Sequence, residues 1–196
     1  MDKRQVKTKH KLADAILSLA ATKSVSEITV SEIAQLAEIN RSTFYQHATS
    51  AADLLQSTLR AELDAIRNQY LVFIDGSAEK AVANVTAAVL DHVERNAEIY
   101  RRGLGNESAV GSLHAVLVNH FSESIQILYS QQTLLESVPT NFNQQLAEEM
   151  SANYVAYGTV GAYVSWLNSP EPRQKAEFLK IFDALTPAWW PRTSGQ

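Results

Sequence analysis

Apolar side chains recur at three- and four-residue spacing along almost the whole chain, and little interrupts them. Leu12, Ile16, Leu19 and Ala20 fall at i, i+4, i+7 and i+8, one stripe of an amphipathic helix over Lys9–Lys23. Val82, Val85, Val89 and Val93 draw the same stripe along Ala78–Glu94. Only 7 glycines and 5 prolines occur in 196 residues, too few for the tight reversals of a β-sandwich or barrel. The breaks that exist are clear: Asp75-Gly76-Ser77, Gly103 with Gly105, Pro139, Pro170 with Pro172, and Pro187. Between them the pattern predicts nine helices and no strand. After Lys9–Lys23 come a short helix through Ile33, Ala34 and Ala37, a third opening at Arg41, then Ser50–Tyr70 and Ala78–Glu94. Ala97–Leu104, Ala109–Ser130, Asn141–Ser169 and Arg173–Leu185 complete the series. Thr29 or Ser31 is placed to cap the second helix, Asn40 the third, and Ser50, with Asp53 three residues on, the fourth.

An apolar fraction of 45% fills a core for an all-α protein of this size. The absence of cysteine excludes disulfides, thiolate metal sites and thiol nucleophiles. The first residues, MDKRQVKTKHK, lack the apolar run of a secretory leader, so a cytoplasmic protein is expected. Charge is unevenly spread. Lys3, Arg4, Lys7, Lys9 and Lys11 stand against Asp2 alone, a local +4 in a chain whose total is −4, so the remainder is acidic. A basic start on an acidic body suits a local contact with a polyanion. Met150–Pro170 carries no charge, yet its polar residues and acidic flanks (Glu148, Glu149, Glu171) argue against a membrane span. A helix without a charged face is expected to be buried on two sides, against its own domain and a second subunit, and Gly158 and Gly161 would admit a close neighbour.

The window Ile28–Leu55, ITVSEIAQLAEINRSTFYQHATSAADLL, has the layout of a helix-turn-helix. Small Ala34 and Ala37 let two helices cross closely, while Ile33, Ile39 and Phe44 wedge their angle. Arg41, Ser42 and Thr43 then stand at the start of the third helix, where such a motif reads base edges in the major groove. Arg41 suits guanine, Thr43 a thymine methyl or a phosphate, and Tyr45 and His47 suit phosphates.

These residues resemble the DNA-binding region of the TetR (tetracycline-repressor) family of transcriptional regulators. The match is carried by Ile28-Thr29-Val30, Ile33-Ala34, Ala37, Ile39, Arg41, Thr43-Phe44-Tyr45, His47 and Leu54-Leu55. The resemblance implies a homodimeric repressor that binds palindromic double-stranded DNA and is released by a small-molecule effector. By it, Thr29, Tyr45 and His47 are phosphate contacts, Arg41, Ser42 and Thr43 the base-reading end, with Gln46 beside them and Lys3, Arg4 and Lys7 adding basic contacts. The run from Tyr154 through Gly161 to Trp166 is similar to the dimer helix of family members related to dihydroxyacetone-kinase operon regulators. It nominates Tyr157, Gly158, Gly161 and Trp166 for a dimer interface. Three positions depart from the family pattern. Glu38 replaces the turn glycine, Ala48 the aromatic after the histidine, and Ala51 a lysine at the start of the fourth helix.

The expected organisation is a helix-turn-helix head, residues 1–48, and an effector-binding and dimerisation body, residues 49–196. His92, Tyr100, His114 and Tyr154 are the candidate effector-pocket residues. His92, His114 and His120 lack the spacing of a metal site; no metal, cofactor or catalytic group is expected, since no phosphate loop, nucleophile elbow or His-Glu-x-x-His occurs. The alternative to direct repression is a TetR-like dimer of weak DNA affinity, as Glu38 and Ala51 allow, acting through a protein partner.

Overall fold

The computed structural model describes residues 3–72, 74, 77–104, 111–131, 134 and 143–191, with backbone only at 111 and 112. Among them are nine α-helices and no strand. They are α1 (Lys3–Ala20), α2 (Val30–Leu36), α3 (Arg41–Phe44), α4 (Ala51–Tyr70), α5 (Ala78–Arg95), α6 (Ala97–Leu104), α7 (Gly111–Ser130), α8 (Gln144–Leu167) and α9 (Lys175–Leu185). A 3-10 turn, Val25–Glu27, precedes α2. The expected breaks at Asp75-Gly76, Gly105 and Pro139, and the expected helix starts at Ala109 and Asn141, lie outside the described residues. No helix among those described is long and apolar enough to cross a membrane.

The first helix starts earlier than its apolar stripe. Lys3, Arg4 and Lys7, expected on an arm ahead of a helix beginning at Lys9, occupy the opening turns of α1 and are exposed there. Lys, Arg and Gln are good helix formers, nothing between residues 3 and 9 breaks a helix, and Thr8 Oγ1 donates to Arg4 O at 3.0 Å. The helix also stops earlier, at Ala20 instead of Lys23. There the Arg102 guanidinium donates to three carbonyls, Ala20 O (2.6 Å), Ala21 O (2.8 Å) and Lys23 O (3.2 Å). Ala20 O is one of the acceptors that the end of α1 leaves without a backbone partner, and Ala21 and Lys23 follow just beyond it.

The chain divides into two compact units. The first comprises residues 1–61 and 96–113, the second 62–95 and 114–196. The first reaches past the sequence boundary at 48 because Ala51, Leu54, Leu55 and Leu59 of α4 are buried, and it recruits α6, whose Ile99 and Tyr100 are buried with it. Its core adds Leu12 and Ile16 of α1, Ile33 and Ala34 of α2, and Phe44 of α3. Gly103 lies inside α6 instead of ending it, since an added β-carbon would collide with the Leu113 side chain.

In the second unit, α8 buries Ala152, Val155, Ala156, Val160, Tyr163 and Leu167 on one face. Rings stack along it, Phe121 to Tyr163 at 6.0 Å, Tyr163 to Phe178 at 5.1 Å and Phe178 to Phe182 at 5.7 Å. The uncharged stretch is thus covered by its own chain on one side only. Tyr154 and Tyr157 stand out on the other.

Candidate functional site

Local chemistry fixes the α2–α3 pair. Thr29 caps α2: its hydroxyl accepts from Glu32 N at 3.2 Å, and the Glu32 carboxylate accepts from Thr29 N at 2.9 Å and from Thr29 Oγ1 at 2.8 Å. Thr29, expected to touch phosphate, therefore spends its hydroxyl proton on Glu32. Lys23 also holds Glu32, and these bonds keep its carboxyl below the usual range. Asn40 occupies the cap position of α3 without a side-chain cap bond, so that expectation fails. Ser50 caps α4 as expected, accepting from Asp53 N at 3.1 Å, while Asp53 accepts from Thr49 N and Oγ1.

The end of α2 is a Schellman turn. Ile39 N donates to Ala34 O (2.9 Å) and Glu38 N to Gln35 O (3.1 Å), which places Glu38 in the left-handed region with φ 54°. That is the position where glycine is ordinarily found, and an L side chain there costs on the order of 1 kcal/mol. Glu38 reaches back to α1, its Oε2 accepting from Lys11 Nζ at 2.6 Å, and Lys11 lowers the carboxyl's pKa. The departure from glycine thus ties the turn to the first helix and occupies one lysine.

Past the turn, α3 is short, but helical hydrogen bonds continue through His47 N to Phe44 O (2.8 Å) and Ala48 N to Phe44 O (3.0 Å). Phe44 is fully buried and Ala48 nearly so, which locks the inner side. Arg41, Ser42, Tyr45 and Gln46 are exposed, and Thr43 and His47 half-buried. Tyr45, 55% exposed, meets Phe44 edge to face at 5.4 Å, holding a large ring toward water. Arg4 and Lys7 of α1 line one groove with Lys11, Glu38, Asn40 and Thr43. Lys3, one turn from Lys7, is exposed. Ala51 is buried at the head of α4.

The second unit holds a pocket of about 60 Å³. Its apolar wall includes Leu71, Val82, Val89, Ile125, Val155 and Phe182, and its polar members are Thr86, His120, Ser124, Thr159, Tyr163 and Trp190. His120 Nδ1 lies 3.2 Å from Asp64 Oδ1, so the neutral ring carries its proton there. Asp64 pairs with Arg67 at 2.8 Å, and Arg67 with Glu123 at 3.1 Å. Burial first, and the Arg67 charge second, push the His120 pKa down to about 4.

None of the four candidate effector residues lines this pocket. Tyr100 is buried in the first unit. His92 is buried with Nδ1 3.1 Å from Glu62 Oε2, and that contact lowers the Glu62 pKa. His114 meets the Tyr157 ring at 5.9 Å. Tyr154, 73% exposed, stands on the outer side of α8. Sequence reasoning missed Phe121, Ser124, Thr159 and Tyr163 because a pocket wall and a packed core share one periodicity; His120 and the aromatic tail at Trp190 were the available hints.

Along the outer side of α8 and α9 the exposed apolar residues are Leu146, Met150, Tyr154, Tyr157, Ile181 and Leu185. Space around Gly158 and Gly161 is open. Trp166 is turned inward, against Phe178 at 5.5 Å and under the Arg173 guanidinium at 5.5 Å. Among the described residues no group of three metal-ligating side chains converges.

No family model and no curated protein matches the chain. Solved structures match its fold. The dihydroxyacetone kinase operon activator DhaS matches with a TM-score of 0.63, covering 90% of this chain and 94% of its own, at 15% identity. A TetR-family transcriptional regulator from Streptomyces coelicolor gives 0.59 over 95% of this chain and 85% of its own, at 18% identity. Thermus thermophilus FadR, a TetR-family transcriptional repressor in complex with lauroyl-CoA, gives 0.60 over 95% and 100%, at 16% identity. The all-α architecture is therefore the TetR-family fold.

Proposed function

We propose that this chain is a ligand-responsive transcriptional repressor that binds palindromic operator DNA as a homodimer and is released by a small-molecule effector. The observation that carries the reading is the exposed row Arg41, Ser42, Tyr45 and Gln46 over a locked Phe44, with Arg4 and Lys7 in one groove with Thr43. Arg41 reads guanine, Ser42 and Thr43 complete the base-reading end, and Tyr45, His47, Lys3, Arg4 and Lys7 hold phosphates, with Gln46 beside them. Thr29 serves here by capping α2, its hydroxyl and backbone N–H both engaged with Glu32.

The apolar side of α8 and α9, with Tyr157, Gly158 and Gly161, supports pairing with a second copy, since a patch of that kind is uncommon on a monomer. Trp166 backs that face from inside. Two paired α3 segments about 34–36 Å apart would occupy successive major grooves. An effector that favours another separation shifts the population away from the DNA-competent state. The natural lever is α4, which supplies residues 51–61 to the first unit and 62–70 to the second.

The test is fluorescence anisotropy on the DNA flanking the gene, across a salt series, with sedimentation to read the oligomeric state. Tyr45→Ala should weaken binding to every duplex, whereas Arg41→Ala should lose about tenfold on the operator alone. Affinity unchanged by both overturns the head assignment. The Lys11–Glu38 pair favours one second reading, a dimer of weak DNA affinity acting through a protein partner; retention of no duplex even at low salt would select it.

A further inference from the structure

The pocket of the second unit is selective by its own chemistry, on the reading of that unit as the effector-binding body. No Lys, Arg, Asp or Glu lines it. A carboxylate or phosphate placed inside would be desolvated without a counter-charge. Three of its four hydroxyls, all but that of Tyr163, are already committed. Thr86 Oγ1 donates to Val82 O, Ser124 Oγ to His120 O and Thr159 Oγ1 to Val155 O, each at 2.7 Å, so these three offer only lone pairs. His120 spends Nδ1–H on Asp64, leaving Nε2 as an acceptor. A buried donor is also unspent: Trp190 Nε1 has no hydrogen-bond partner among the described residues. A buried N–H in that condition costs about 1–3 kcal/mol, which an acceptor brought by a ligand would recover.

We propose that the effector is a small, uncharged alcohol or phenol with a hydrocarbon body, whose oxygen accepts from Trp190 Nε1 and whose hydroxyl proton goes to a pocket acceptor, His120 Nε2 first among them. The volume of about 60 Å³ is below the roughly 150 Å³ that admits benzene, so a short alcohol fits best, a single ring enters only by widening the pocket, and a nucleotide-sized group does not enter.

The experiment titrates the full chain with phenol, anisole, toluene and benzoate, read by ligand-observed NMR and thermal shift at concentrations up to about 10 mM. Phenol should bind tightest, anisole, which keeps the acceptor but lacks the proton, next, toluene weaker still, and benzoate not at all. Trp190→Phe should weaken phenol and anisole about tenfold while leaving toluene, the control for added space, no weaker. Toluene equal to phenol, benzoate equal to phenol, or no binding by any of the four overturns the proposal, and the wild-type series decides this even if the variant fails to fold. Operator anisotropy separates the two readings. DNA binding without any probe binding removes the effector class and leaves the regulator; the expected ligand order with no DNA binding at all does the reverse.

Discussion

In the first compact unit several charged side chains close a helix end or a turn. Arg102 covers the last carbonyls of α1, Lys23 and Thr29 hold Glu32 at the start of α2, and Lys11 holds Glu38 at its end. In the second unit two histidines go inside. His92 and His120 are buried against Glu62 and Asp64, and Arg67 joins Asp64 to Glu123. Beside the first unit's pairs Arg41 and Ser42 of α3 stay exposed. In the second unit the charged partners stand outside the pocket, whose lining holds no Lys, Arg, Asp or Glu.

Three experiments press on this contrast. The largest effect is expected from Phe44→Ala, which removes a fully buried ring from the first unit and should cost about 3–5 kcal/mol. Calorimetry should show the loss in the first unit's transition, with phenol binding retained in the second. An equal loss in both would show that the two melt as one body.

Next is acid. The free histidine side chain titrates near 6.5 and buried His120 at about 4, so between these values the unfolded chain binds a proton that the folded chain refuses. Stability should therefore fall as pH drops from about 6.5 to 4, by roughly 3 kcal/mol, with Asp64, Arg67 and Glu123 as the charges facing the ring. Urea midpoints across that range should show a slope that His120→Gln flattens. The depressed Glu62 carboxyl adds its own loss in a separate window, below its free value of 4.5.

The smallest effect is at the rim. Glu38→Gly removes the left-handed strain, worth on the order of 1 kcal/mol, and releases Lys11. Non-specific DNA affinity should rise, with the salt slope steeper by about one. Glu38→Gln keeps the strain and frees only the charge, so equal slopes in the two variants assign the effect to Lys11.

The helices were legible because helical burial leaves a periodic trace, and all nine fall close to the ranges that the spacing predicts. The α2–α3 pair was legible for a further reason: a short turn between small and wedge residues leaves few alternatives, and its polar side chains emerge as expected. What escaped depends on partners distant in sequence. Nothing near residue 20 announces that Arg102 will end α1, and nothing around residue 100 places Tyr100 in the first unit. Pocket residues are hard to assign because a tyrosine or histidine on a helix reads alike whether it faces a cavity, a core or water: exposed Tyr154 and buried His120 carry no mark in the sequence that separates them.

The guanidinium that finishes α1 arrives about eighty residues after the helix it finishes. During synthesis the first unit must wait for α6, with α5 made in between and belonging elsewhere. A shortened chain ending after α4 would leave those carbonyls and the bed for Tyr100 unfilled. Anyone grafting the first unit onto a different protein has to transplant two stretches, not one.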